Sequence, residues 1–518
     1  MKNLALSLLF IFASLPIFAQ TAEEMAGENC TSIMVGRLAS TDGSVITSHT
    51  CDGTYRTWVT IEPAADYPKG AMHQVKKGTM KTASASDTTG VTVAGLIPQA
   101  RHTYAYINTA YPCMNEKQLA IGETTFVGPK ELVNPDAMFL IEELQRIALQ
   151  RCTTAREAVL LMGSLAEKYG YADTGECLTV ADRNEVWQFE IVGVGKDKIG
   201  AAWVAQRVPD DEVAVSANVP RIGTLNEKDK ANFLCSKNVK QTALENGLWD
   251  GKEEFKFWKA FNSSRENAKN FKDREFYILK TLAPSLGLSW DMEELPFSVK
   301  PEKKLGVEDV ARYFRNTYEG DPFDMCKNVL IERPARGDKP AYKEISPVAN
   351  PWLTTTMRNT LNTIAPNTVE FRRTIAVAWC SYSHVIQLRS WLPDAVGGIC
   401  WLSVDNPGQS PRIPVFCGNT ELPEGFAFCG HKGFDPDCAL WTFRKANKLA
   451  TLSWQTTKKG FIENVLKIEK FATSGISGLE AEADSQTLNT YTKSVYDEAA
   501  RVWREMEENF WRQFGSGF

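Results

Sequence analysis

The chain has 518 residues, 43% of them hydrophobic and 23% charged, with a formal net charge of −5. That balance excludes a disordered chain, and the mildly acidic sign argues against nucleic acid as the main partner, because phosphate binding needs a basic surface. Composition does not choose between an enzyme and a binding protein.

In chain order, residues 1–19 read as a secretory signal peptide. Lys2 gives a positive start, Leu4 to Phe18 is almost unbroken apolar sequence, and small Ala19 precedes the expected cut at Ala19–Gln20. A membrane anchor is the competing reading, but the run is shorter than the ~20 residues needed to span a bilayer. No later segment is apolar for long enough, so no membrane contact is expected once the signal is gone. The polar stretch 20–29 then precedes one large domain, 30–518. From Cys30, two β-rich runs flank the turn Ser40-Thr41-Asp42-Gly43 and read as a hairpin. Asn134 to Tyr169 is apolar at helical spacing, with a capping signal at Asn134-Pro135. Strands are expected at Thr103 to Asn108, Cys177 to Val180, Glu185 to Ile191 and Val213 to Ser216. Helical stretches follow around Lys252 to Lys280 and Val307 to Thr317, then strands at Arg373 to Cys380, Val385 to Arg389 and Gly398 to Val404. A long helix closes the chain from about Asp484 to Phe514, where Leu488, Tyr491, Val495, Ala499, Val502, Met506 and Phe510 form a stripe. The stripe predicts packing on the body of the protein, and contact with a second copy, a homo-oligomer, is the alternative. Strand-rich blocks flanking helical ones give an α+β layered fold with helical insertions.

Export changes how the twelve cysteines are read, because thiols outside the cytosol tend to pair. Cys400, Cys417, Cys429 and Cys438 are the best placed for disulfides. No two cysteines form a C-x-x-C pair, no H-E-x-x-H or phosphate-binding G-x-x-x-x-G-K occurs, and neither a metal nor a cofactor is indicated.

Cys30 admits three readings. It could be half of a disulfide, or a lipid-attachment site, although lipidation needs a cysteine directly behind the apolar run. It could also become the mature N-terminus. There, an α-amine of pKa about 7.7–8.0 sits beside a thiol of pKa about 8.5. The amine is then a base within reach of its own nucleophile, and no histidine is needed.

The run Cys30-Thr-Ser-Ile-Met-Val-Gly-Arg-Leu-Ala-Ser-Thr-Asp-Gly-Ser44, with Asp52 further on, resembles the start of the C69 cysteine dipeptidases. These are N-terminal-nucleophile hydrolases related to penicillin V acylase, bile-salt hydrolase and the secernins. Met114 to Thr124, Thr174 to Glu190, Trp203 to Ile222 and His384 to Arg389 resemble later family blocks in order. The resemblance implies a four-layer αββα sandwich, a C69-type hydrolase domain over 30–518 and a pro-segment over 20–29 that blocks the amine until Asn29–Cys30 is cut. That cut would be made autocatalytically or by a host protease. It implies Cys30 as nucleophile and Asp52 holding the α-amine. Asn218 would donate to the oxyanion, with Asn115, or a backbone N–H beside it, as second donor. Glu116, Glu123 and Glu176 are open candidates for binding a peptide amine. His49 stands where relatives are expected to carry arginine, and Cys51 is also atypical, so the roles of both stay open. The function implied is an exported (periplasmic or extracellular) dipeptidase acting on small peptides. An N-acyl amidase with the same chemistry at Cys30 and a disulfide-stabilised binding protein are the alternatives.

Overall fold

The computed structural model describes residues 29–263, 269–338, 340–480 and 483–516. The expected signal peptide, and the pro-segment up to residue 28, lie outside them. Helices and strands are mixed throughout, as the α+β reading required.

The expected hairpin forms. Strands Ser32–Val35 and Val45–Asp52 run antiparallel, with Val35 opposite Ile46 and Gly43 at φ 89° in the turn, a left-handed conformation open to glycine at no steric cost. This hairpin sits in a seven-stranded antiparallel sheet. Val213–Ser216 and Ser298–Val299 lie on one side of it, and Cys380–Leu388, Gly398–Val404 and Ile413–Phe416 on the other. A second antiparallel sheet of eight strands is centred on Ala120–Thr125, Glu176–Ala181, Val186–Val192 and Ala202–Arg207.

The two sheets meet across Val45–Asp52, which packs against Ala120–Thr125 and Glu176–Ala181. Every residue of Val45–Asp52 is buried, although five of the eight are polar or charged. Buried polar groups must be paired, and most of these are. Thr47 Oγ1 meets Thr179 Oγ1 at 2.5 Å, and Ser48 Oγ accepts from Ile33 N at 2.8 Å and donates to Ile33 O at 2.9 Å. The approach is close enough to demand glycine: a Cβ on Gly122 would lie 2.6 Å from both Ser48 O and Thr179 Oγ1.

Helix Ala155–Tyr169 packs on the second sheet. Lys269–Leu282, Val307–Phe314, Ala439–Ala450 and Ser485–Phe514 pack on strands of the first. One apolar cluster runs from Ile33 to Met506. The closing helix spans 30 residues, about 45 Å at 1.5 Å per residue. Asp484 caps it by accepting from Thr487 N at 2.8 Å. Leu488, Val495, Ala499, Val502 and Met506 are buried and Tyr491 and Phe510 partly so, so the stripe packs on the body of the protein.

Three expectations are corrected. Asn134 to Tyr169 is not one helix. Asn134 caps a turn through Asp136 N, and the helices are Ile141–Arg151 and Ala155–Tyr169. The second begins afresh because Thr154 and Glu157 form a capping box. Arg373 to Trp379 is not strand, since Arg373 turns into the interior, and the strand begins at Cys380. All twelve cysteines are free thiols, so Cys400, Cys417, Cys429 and Cys438 form no disulfides.

Replacing Gly122 with alanine is expected to part the sheets where they carry Asp52 and Glu123. Overpacking of this kind typically costs about 1–3 kcal/mol. Urea unfolding should show that loss, and an unchanged midpoint would contradict so tight an approach.

Candidate active site

Cys30 is fixed by the residue after it. Thr31 N donates to Thr50 Oγ1 at 2.9 Å, and Thr50 N to Thr31 O at 2.9 Å. This pairing draws Cys30 to the end of Val45–Asp52, where a register shift between Cys380 and Tyr382 on the neighbouring strand faces Cys51 and Asp52. Such irregularities re-aim side chains.

Asp52 is wholly buried. Its Oδ2 accepts from Arg373 Nη2 at 2.6 Å and from Thr50 Oγ1 at 3.1 Å. Its Oδ1 has no hydrogen-bond partner among the described residues; the neighbouring Cys380 thiol donates to Tyr382 O at 3.1 Å. Burial lifts the carboxyl above its ordinary range while the Arg373 cation opposes the rise, and the Cys380 thiol is close enough to help hold the carboxyl down. Arg373 Nη2 also donates to the Asn29 carbonyl at 2.9 Å. That is the carbonyl of the Asn29–Cys30 bond.

Arg274, on helix Lys269–Leu282, ties the other side. Its Nη1 donates to Cys30 O at 2.5 Å and Thr31 Oγ1 at 2.9 Å, and its Nη2 to Ala217 O at 3.0 Å and Asn218 Oδ1 at 2.8 Å. Burial and the nearby Arg373 push its pKa down to about 9, still cationic at neutral pH. Asn218 holds φ 67°, a left-handed conformation in which asparagine is enriched. One amide N–H goes to Thr125 O at 2.6 Å, and a primary amide has a second to give.

The Cys30 sulfur lies 3.5 Å from Glu123 Oε2. With Asn29 still attached, burial first and the Glu123 charge second hold the thiol well above its ordinary pKa. Glu123 Oε1 and Glu176 Oε1 lie 2.9 and 3.0 Å from the same Thr125 hydroxyl. One hydroxyl hydrogen cannot serve two carboxylates, so the pair keeps a proton of its own. Burial raises Glu123 to about 7, and burial with the Glu123 charge drives Glu176 higher. Near neutral pH Glu176 therefore keeps its proton while Glu123 passes from neutral to charged, so the pair carries at most one negative charge beside the thiol.

Between them stands His49, with Nδ1 2.6 Å from Glu123 O. Its ring packs near those of Tyr111, Tyr382 and His384 at 5.7, 5.8 and 5.4 Å. Burial lowers its pKa to about 4, so the imidazole is neutral at pH 7. Cys51 is also buried, its thiol held protonated chiefly by desolvation.

Of the expected site residues, Cys30, Asp52 and Asn218 come together, linked through Arg373 and Arg274. Asn115 does not join them. Its amide donates to Leu149 O and Cys152 O at 2.7 and 2.9 Å, and its oxygen accepts from Lys117 N and Leu119 N. The backbone N–H groups of Asn115, Glu116 and Gln118 are bonded as well. Asn115 builds its turn and has no donor left for an oxyanion. Glu116 lines a separate surface cavity with Asp394 and Asn419. Arg274 and Arg373 were not foreseen. The only sequence signal for Arg373 is a pair of arginines heading the run Thr374-Ile-Ala-Val377.

The model of peptidase family C69 matches residues 29–467, and the chain belongs to that family, a family of peptide-bond hydrolases. A probable dipeptidase of Latilactobacillus sakei is 28% identical over 413 residues, covering 77% of this chain and 76% of that one. Dipeptidase A of Lactobacillus helveticus is 22% identical over 494 residues, covering 93% and 94%. A solved structure, penicillin V acylase from Agrobacterium tumefaciens, overlaps 34% of this chain and 49% of its own at 12% identity with a TM-score of 0.21, too slight an overlap to bear on the fold.

Two outcomes follow from the electrostatics. Glu123 is raised in the folded state, so the native protein binds more protons than the unfolded chain between the ordinary glutamate pKa and about 7. Its contribution to stability therefore declines as pH rises through that window. Glu123→Gln should flatten that part of the stability–pH curve relative to wild type, and parallel curves would contradict the assignment. Removing one partner of a buried pair typically costs about 3–5 kcal/mol, so Arg373→Met should lower unfolding free energy by that order. Adding Asp52→Asn should restore part of it.

Proposed function

We propose that the protein is an exported dipeptidase that cleaves di- and short oligopeptides with Cys30 as N-terminal nucleophile, unmasked by self-cleavage of Asn29–Cys30. The observation that carries this reading is the grip of Arg373 on both the Asn29 carbonyl and Asp52. Arg373 polarises the bond to be cut and brings Asp52 to it, and Asp52 Oδ1 has no hydrogen-bond partner among the described residues.

In processing, the Cys30 thiol passes its proton to Glu123, 3.5 Å away, and its sulfur attacks the Asn29 carbonyl carbon. Arg373 meets the charge growing on the oxygen. The C–N bond breaks as the nitrogen takes a proton, and water hydrolyses the thioester to an Asn29 carboxylate and a free thiol. The new α-amine then lies against Asp52. In turnover the amine takes the thiol proton, the sulfur attacks the substrate carbonyl, and the amine returns the proton to the departing nitrogen. Water, deprotonated by the same amine, then hydrolyses the acyl thioester, releasing the product acid and returning the proton to the thiol. The second N–H of Asn218 is the proposed oxyanion donor, a contribution typically worth about 2.7–4 kcal/mol. The Glu123–Glu176 pair offers the counter-charge for a dipeptide's free amine. Two sheets in contact, with helices packed on each, support the four-layer αββα arrangement of N-terminal-nucleophile hydrolases. The apolar run from Leu4 to Phe18 supports export, and among the described residues no helix is long and apolar enough to cross a membrane.

The test is a comparison of free dipeptides with N-acyl amino acids on the processed protein. Dipeptides should be cleaved in preference, with kcat falling by at least about 10²-fold in Asp52→Asn, the lower end of what the acid–base work of the amine it holds is worth. Preference for N-acyl amino acids would instead make it an amidase. Turnover of neither would leave a binding protein.

A further inference from the structure

Cys30, His49 and Glu123 come from three separate stretches of chain, so no local sequence motif joins them. Their donor atoms nevertheless converge. The Cys30 sulfur, a ring nitrogen of His49 and a carboxylate oxygen of Glu123 all lie within 4.8 Å of one another, and all three residues are buried. The Cys30 sulfur and Glu123 Oε2 are 3.5 Å apart. Ligands 2.0–2.3 Å from a tetrahedral zinc ion stand about 3.3–3.8 Å apart. Cys30 and Glu123 therefore already have the required spacing, and the imidazole needs to close by no more than about 1.5 Å.

The imidazole is held as a metal-bound ring is held. Nδ1 sits against the Glu123 backbone, 2.6 Å from its carbonyl and 3.3 Å from its N–H. The shorter contact favours a proton on Nδ1, which leaves the lone pair of the second nitrogen open to a metal. That atom, Nε2, has no hydrogen-bond partner among the described residues, although His49 is fully buried. An unsatisfied buried polar atom costs stability, and a ligand would remove that cost. Thiolate, imidazole and carboxylate together select a borderline cation such as Zn²⁺ or Co²⁺ over Mg²⁺ and Ca²⁺, which prefer all-oxygen sites.

We infer that Cys30, His49 and Glu123 form a binding site for Zn²⁺ or a similar borderline divalent cation, and that the ion switches the active site off. The three side chains suffice for binding. Completion by a fourth ligand rests on the proposed processing: the freed α-amine and the thiolate of Cys30 close a five-membered chelate ring, and the amine's remaining N–H groups stay available to Asp52. On binding, the thiol proton passes to solvent and the sulfur–metal bond forms. Nucleophile and base are then both engaged, so the ion is an inhibitor that competes with substrate.

The test uses metal-free protein of known N-terminal mass, titrated with Co²⁺ and followed by absorption. Saturation at one ion per chain is expected. A thiolate-to-cobalt band and tetrahedral cobalt bands should appear, and Zn²⁺ should displace both. Cys30→Ser should abolish the thiolate band. His49→Ala and the isosteric Glu123→Gln should each weaken binding by at least about 10-fold, taking the lower end of what even a supporting partner is worth; unfolding curves would confirm that they fold. Absence of the thiolate band in wild type overturns the proposal, whether or not Asn29 has been removed. So does unchanged affinity in either folded variant. A chain that binds Co²⁺ in this way but never begins at Cys30 would overturn the processing instead and leave the metal site standing.

Discussion

The site hangs on one buried ion pair. Arg373 and Asp52 meet at 2.6 Å with side-chain exposures of 4% and 0%, in a place where neither charge has water to fall back on. Desolvating two such groups costs several kcal/mol each, and their attraction repays it only when the remaining polar atoms are also satisfied. Most are: Thr50 supports Asp52, while Asn29 O and Thr374 O take further Arg373 donors. The exceptions are Arg373 Nε and Asp52 Oδ1, and in the proposed chemistry the carboxylate oxygen is where the new amine belongs. The pair also joins the Asn29–Cys30 bond, the end of the strand Val45–Asp52 and the segment leading into Cys380–Leu388, three stretches distant in sequence. Arg373 is therefore a tie in the fold and a proposed electrophile in the same position.

Around it, the two sheets approach closely enough to exclude any side chain at residue 122. The strand between them is polar because it carries the site. Thr47, Ser48 and Thr50 each use a hydroxyl to satisfy a neighbour, which leaves His49 and Asp52 as its side chains with an unmatched atom. Across the interface, Glu123 and Glu176 share a proton. The environment thus sets a protonated thiol, a neutral imidazole and a carboxylate pair that carries at most one charge within a few ångströms. Removal of Asn29 is proposed to disturb that balance, because it adds a basic amine where an amide stood.

Much of this was legible in the residues, unevenly. The hairpin was plain because Asp42-Gly43 demands a turn, and the closing helix was plain because its apolar stripe is long and capped by Asp484. The break at Cys152 was missed, although Thr154 and Glu157 spell a capping box, because helical spacing continues on both sides. Arg373 was unreadable: a short run of β-branched and apolar residues suggests strand, and periodicity does not distinguish a buried arginine from an exposed one. The polar residues of Val45–Asp52 would face solvent in an ordinary alternating strand, and only the second sheet buries them. Resemblance located Cys30, Asp52 and Asn218, which the structure brings together. It also pointed to Asn115, whose side chain closes a turn. The disulfide expectation rested on compartment alone and carried no information about which thiols are near one another.

The most direct measurement is the mass and N-terminal sequence of the purified protein, taken side by side with Cys30→Ala. The account predicts wild-type chains beginning at Cys30 and Cys30→Ala chains that keep Asn29 under the same conditions. Active wild-type protein that still carries residues ahead of Cys30 would contradict it, because an amide nitrogen cannot act as the base.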